Sequence, residues 1–278
     1  MTAHAENTSA PPDELKQKKY VVAFLDFLGA SDKMKSSEES DSFLQQIKKI
    51  YNSTLSLVEA RNKNSTINMT DIKVRIFSDN IVIAQECVPP LDIQESLNIL
   101  MFSSYIQANA LLDGALIRGA ITAGNFYIDD MMVYGEALVR AHELESKIAI
   151  YPRIVIDREI AEKSLLPAFK VLKTKGLTQD FDGEWIVNFI AQFIGWEDRT
   201  ISIRLLNGAR EKILELFKNP TPDANVQQKF DWLAIKFNEL CEKANFAEQK
   251  IKTGFNMRPD PTAFYEDGYK YQQHCSDK

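Results

Sequence analysis

Cysteine and histidine are scarce in this 278-residue chain, with three of each. Cys87, Cys241 and Cys275 are odd in number and far apart, which suggests neither a disulfide framework nor a C-x-x-C metal knuckle. His4, His142 and His274 are too few and too scattered for a His-rich zinc centre. Long apolar runs are missing too. No stretch of about 18 apolar residues exists that would span a membrane. The polar N-terminus, MTAHAENTSAPPDELKQKK, lacks the apolar segment of a signal peptide, so a soluble, cytoplasmic protein is expected. Positive charge is not in excess. A formal net charge of -6 argues against general affinity for DNA, RNA or acidic membrane. It leaves room for a nucleotide ligand, because one triphosphate needs only a few local cations or metals.

What is present is an ordinary globular balance, 45% hydrophobic and 26% charged, enough to bury a core. Residues 1–17 read as a loose tail. The run YVVAFLDFLGA, Tyr20 to Ala30, predicts a buried strand that leaves into a turn at Gly29. Apolar residues every three to four positions predict a helix over about 41–62, capped by Ser40 or Asp41. IKVRIFSDNIVIAQE predicts two short strands around a Ser78-Asp79-Asn80 turn. A helix over 92–112, a strand from Gly114, a helix from about 136 to 149 and a strand over 153–157 follow. This order implies an α/β (α+β) fold with a ferredoxin-like βαββαβ core, one face of its sheet covered by helices. The body is placed at 18–205. The pattern becomes helical from about 208, so 206–278 is read as a helical C-terminal extension.

Two aspartates stand out. Asp26 interrupts an apolar strand, and Asp79 sits at a hairpin tip. A carboxylate within FLDFLG is costly to bury unless it is paired or bound to metal. Brought together, the two would repel without a cation between them, and hard divalent ions favour such oxygen ligands. The plain alternative makes Asp26 a strand-end cap and Asp79 a turn residue.

The arrangement resembles the class III nucleotidyl cyclases, in which an Asp on the first strand and an Asp in the following hairpin hold two metal ions. The resemblance implies metal ligation by Asp26, Asp79 and the main-chain carbonyl of Phe27, with Mn2+ or Mg2+ as cofactor. It also implies nucleotide contacts at Phe24, Phe27, Leu28 and Gly29. The hairpin usually reads G-D in that family; here it reads Ser78-Asp79. Counting along its motifs puts Arg75 and Met132 at the base-reading positions, a pair that cannot reproduce adenine readout. Met132 also reads as a core filler, and Arg75 as an exposed strand cation. LIRGAITAG is similar to the family's R-x-G-I-x-x-G strand, with Ala120 replacing a glycine. The positions of the usual ribose-orienting Asn and transition-state Arg become Val139 and Glu143, leaving Arg118 or Arg140 as possible transition-state cations. Lys173 and Lys175, in VLKTKG, fall where a triphosphate-binding lysine is often found. Asp180 and Asp182, in D-x-D-G, read as a turn rather than a second metal site.

FLDFLG, FSDNIV and YG-x-AL-x-x-A-x-x-LE together resemble the Pycsar pyrimidine cyclases of bacterial anti-phage defence. That resemblance implies conversion of UTP, or less readily CTP, to the 3′,5′-cyclic nucleotide and pyrophosphate. It further implies a homodimer with sites at the interface, and a product acting on a separate effector protein. A diverged adenylate cyclase and a non-catalytic nucleotide-binding module are the rival readings.

Overall fold

The computed structural model describes residues 16–64, 69–87, 93–172, 176–194, 198–218 and 223–251. The expected tail lies outside them but for its last two residues, as do Lys173 and Lys175.

Strand β1 (Lys18–Phe27) opens the fold. After a short α1 (Ala30–Lys33), α2 runs over Ser37–Asn64. It starts earlier than the apolar periodicity suggested because the Ser36 hydroxyl caps its first turn. Ser36 Oγ accepts from the Glu39 N–H at 3.2 Å and donates to the Glu39 carboxylate at 3.0 Å. Strands β2 (Lys73–Phe77) and β3 (Asn80–Glu86) enclose a two-residue turn, Ser78-Asp79. Ser78 there takes φ 56°, the left-handed conformation that glycine adopts without strain. Helix α3 (Ile93–Leu112), β4 (Ile117–Ile128), β5 (Val133–Tyr134), α4 (Glu136–Lys147) and β6 (Ile154–Ile156) follow. A helical stretch then runs from α5 (Arg158–Ile160) through a π-helical turn (Ala161–Leu165) into α6 (Leu166–Leu172). Strands β7 (Leu177–Gln179) and β8 (Trp185–Val187) precede α7 (Arg199–Lys218) and α8 (Ala224–Lys243).

The sheet order is β2-β3-β1-β4-β6-β8-β7, with β5 hairpinned onto β4. Its first four strands are antiparallel in the ferredoxin-like arrangement, and β6 joins β4 in parallel through α4. The α/β class and the βαββαβ order expected from the sequence are both present. Helices, however, cover both faces rather than one. Val21, Ala23, Leu25 and Phe27 of β1 join the larger core shared with α2 and α3. Tyr20, Val22 and Phe24 join a smaller cluster with Ala137 and Ala141 of α4. A strand apolar on both sides needs cover on both.

Helix α7 begins at Arg199, so a division at 205/206 would cut it. Leu206, Ala209 and Ile213 of α7, and Trp232, Leu233 and Phe237 of α8, belong to the same core as the sheet. A buried polar cluster fastens α8. Asp180 receives a hydrogen bond from Trp232 Nε1 at 2.9 Å, and Lys236 Nζ lies 2.9 Å from its other oxygen. Arg153 pairs with both Asp180 and Asp182. Those two aspartates, flanking the turn closed by Gly183 N–H to Asp180 C=O, thus serve an arginine. Among the described residues no helix is long and apolar enough to cross a membrane.

Candidate functional site

The even-numbered face of β1 runs Tyr20, Val22, Phe24 and then Asp26, so the strand alternation carries Asp26 to the α4 side of the sheet. Asp26 is opposite Asn80 on β3 and Arg118 on β4. Asp79 immediately precedes Asn80, and its main-chain carbonyl accepts the Phe27 N–H at 3.1 Å. The register therefore brings residues 26 and 79 to the same end of the sheet, where β1 finishes and the hairpin turns. Asn80 Nδ2 donates to Asp79 Oδ1 at 3.2 Å.

The Asp26 carboxylate is only 17% exposed and accepts from Arg118 Nε at 3.0 Å. Burial pushes its pKa above the usual carboxylate value, against the lowering influence of Arg118, and the negative charge of Asp79 adds to the rise. The same Arg118 Nε lies 2.6 Å from Glu145 Oε1, whose side chain is 3% exposed. This second contact is charge against charge without an aligned hydrogen bond. Burial likewise raises the Glu145 pKa, Arg118 opposes it, and Asp26 adds to it. Two carboxylates thus share one guanidinium, and the charge of Asp79 acts on the first of them, leaving the site short of positive charge.

Glu145 carries no role in the sequence reading. The available signal was its spacing: Ala137, Ala141 and Glu145 recur at four-residue intervals, so the glutamate lies on the buried face of α4. Lys229 of α8 is the other addition. It is half-buried, and among the described residues no carboxylate lies within ion-pair distance of it. Burial lowers its pKa, and repulsion from Arg118 lowers it further, against the pull of Asp223 and Asp26. A lysine of the C-terminal helices therefore stands within electrostatic reach of the Asp26 cluster.

The Phe24 and Phe27 side chains are buried, Phe24 edge-on to His142 at 5.4 Å and Phe27 edge-on to Phe43 at 5.7 Å. Any ligand contact by either must come from main chain. Leu28 N–H donates to Leu116 C=O at 2.9 Å, and Gly29 takes φ 76° ahead of α1. Arg75 is not a loose strand cation. Its Nε donates to Asp129 C=O at 2.7 Å and its Nη2 lies 2.5 Å from the Asp130 carboxylate. Met132, in the same β4–β5 turn, is 50% exposed and so is no core filler. It donates its N–H to Asp129 Oδ1, which brings it next to the segment that holds Arg75. Arg140 is engaged apart from this cluster, 2.5 Å from Asp157, which also caps α5. Val139 and Glu143 point to solvent on α4. In the β4 motif the close approach is met by Gly119, one position before Ala120. A Cβ on Gly119 would lie 2.4 Å from the Phe24 carbonyl oxygen. Lys175 lies outside the described residues.

Among the described residues no three potential ligands cluster tightly enough to hold a metal alone. Two carboxylates do fit an ion of the magnesium or manganese kind, which keeps waters and takes substrate phosphate oxygens rather than an all-protein cage. The deficit of positive charge around Asp26, Asp79 and Glu145 suits such an ion. A cavity of about 700 Å³ lies elsewhere, between α2, α3 and α7. Its lining includes Leu57, Arg61, Tyr105 and Leu205 but no carboxylate among the described residues, so it does not compete for this chemistry.

No protein-family profile and no curated protein matches the chain. Solved structures similar to it include the catalytic core of a rhodopsin-guanylyl cyclase with converted specificity, in complex with ATPαS. That one is 13% identical with a TM-score of 0.40, over 62% of this chain and 97% of the other. The guanylate cyclase domain of RhGC from Catenaria anguillulae, in complex with GTP, is 14% identical with a TM-score of 0.39, over 61% and 96%. A monomeric guanylyl cyclase domain of the RhoGC fusion protein from Blastocladiella emersonii is 16% identical with a TM-score of 0.38, over 62% and 95%. Likeness at this level assigns neither family nor activity.

Proposed function

We propose that the protein is a metal-dependent nucleotide cyclase of the class III type, acting on a pyrimidine triphosphate, UTP before CTP. The observation that carries the reading is the meeting of Asp26 and Asp79 at one sheet end, beside Arg118, on a βαββαβ core. Divalent ions, when bound, would supply Lewis acidity toward the ribose 3′-hydroxyl and the α-phosphate.

The chain's own residues have distinct parts. Asp26 and Asp79 hold the ions. Arg118 and Lys229 offset the charge of the polyphosphate, Arg118 from the sheet and Lys229 from α8. Arg75, set at a fixed angle by Asp129 and Asp130, presents a directed donor to a pyrimidine carbonyl. A homodimer, with the β4–β5 turn of one protomer near the aspartates of its partner, would give cover to apolar side chains now in solvent. Met131, Met132, Tyr134 and Val139 are between 50% and 93% exposed. A cyclic pyrimidine product acting on a separate effector, in defence against phage, completes the reading.

Incubation of the protein with each of the four ribonucleoside triphosphates and Mn2+, followed by mass analysis, tests it. Cyclic UMP or cyclic CMP is expected, and cyclic AMP alone would turn the reading to a diverged adenylate cyclase. A second reading, a non-catalytic nucleotide-binding module, is favoured by one observation: Arg118 already occupies Asp26. Triphosphate binding with no cyclic product from any nucleotide would establish that alternative.

A further inference from the structure

We infer that Glu145 is a positioning residue: it is the seat to which Arg118 withdraws when a divalent ion takes Asp26. The inference rests on the metal reading of Asp26 and Asp79 and goes beyond it. Arg118 Nε now bridges two carboxylates, 3.0 Å from Asp26 and 2.6 Å from Glu145. An ion held at Asp26 would place two positive charges against the guanidinium and so weaken the contact between Arg118 and Asp26. Arg118 is itself only 25% exposed, and a half-buried guanidinium without a partner is costly.

Glu145 removes that cost. Its carboxylate is nearly fully buried and, through α4, fixed on the face packed against β1 and β4. Among the described residues Arg118 is its ion-pair partner. The other charged and titratable groups that act on the cluster are Asp79 from the hairpin, His142 from α4 and Lys229 from α8. Arg118 therefore exchanges one carboxylate for the other without entering solvent, and it remains beside the ion where an anionic substrate arrives. Metal uptake and the placing of a phosphate-facing cation become one event.

The test is Mn2+ affinity without nucleotide, read from the electron paramagnetic resonance signal of free Mn2+ on the full chain. Glu145→Gln should weaken Mn2+ binding by about tenfold, since Arg118 then has Asp26 as its sole partner. In an Arg118→Met background the same substitution should change affinity by less than about twofold. Glu145→Asp keeps the charge but withdraws the carboxylate, and should weaken binding as Glu145→Gln does; it also serves if Glu145→Gln does not fold. Unchanged affinity in both Glu145 variants, or equal weakening with and without Arg118, overturns the inference. Asp26→Asn separates the two levels: wild-type Mn2+ affinity in that variant would overturn the metal reading itself.

Discussion

Arg118 and Asp26 face each other across the β1–β4 ladder, joined at 3.0 Å although 92 residues separate them in the chain. This pair sets a counter-ion directly on the Asp26 carboxylate. A ligand must offer more to Asp26 than Arg118 does. That requirement shapes the expected behaviour of the site.

Asp26→Asn and Asp79→Asn should each lower cyclisation by about a thousandfold, the loss of several kcal/mol of charge stabilisation at the reacting phosphate. Thermal midpoints should stay close to wild type, since neither side chain belongs to the apolar core. Product formation and a thermal melt on the same sample check both halves.

Because burial raises the Asp26 pKa, this group adds stability as pH falls from the raised value toward the ordinary 3.8 and withdraws it as pH rises through the raised value. Mn2+ needs the carboxylate, so its effect runs the other way. The rise in melting temperature on adding Mn2+ should be present at neutral pH and fade on acidification, beginning above the ordinary carboxylate value of 3.8. Paired melts with and without Mn2+ across pH measure it.

Lys229→Met should raise KM for the triphosphate by about tenfold, the loss of one charge-assisted contact to phosphate. Mn2+ affinity measured without nucleotide should change little. Initial-rate kinetics with the full triphosphate, and competition by the monophosphate, distinguish this from a general loss of the site.

Ser78→Gly should stabilise the protein by about 0.5–1 kcal/mol, because the serine holds φ 56° at the hairpin turn. Denaturant unfolding checks the gain.

Asp180→Asn should cost about 3 kcal/mol at neutral pH, as it removes the shared partner of Arg153 and Lys236. Burial alone would raise the Asp180 pKa, but Arg153 and Lys236 together hold it below the usual carboxylate range. A lowered folded pKa contributes stability above the unfolded value of 3.8, and this is lost as pH falls through the folded one. The gap between wild type and variant should therefore narrow below that pH, which urea unfolding at several pH values will show.

Most strands and helices were legible because β1, the hairpin and the helices carry clear apolar periodicity. The start of α2 was missed because Ser36 and Glu39 act as a pair, while the periodic pattern begins later. Cover on the second face of the sheet was missed because the small Ala137 and Ala141 make a weak stripe that still packs closely on Phe24. At the site, Asp26 and Asp79 announced themselves by context, a charge in an apolar run and a charge in a turn. Glu145 and Lys229 did not. For Glu145 the four-residue spacing from Ala137 and Ala141 is the local signal, whereas Lys229 looks like an ordinary helix-surface charge until the packing of α8 is known. Arg75 was seen as a candidate, but its tether to Asp130 spans 55 residues and has no local signature.

The strand that bears Asp26 has no neighbour from its own vicinity. Its ladder partners are β3 and β4, and Lys18 pairs with Phe126. Pairings of such long sequence separation form slowly and late, since chain must be closed before they repay it. During synthesis, Asp26 cannot meet Arg118 until β4 has emerged to complete the sheet. A nascent or prematurely terminated chain ending before that strand thus holds the Asp26 carboxylate without its guanidinium.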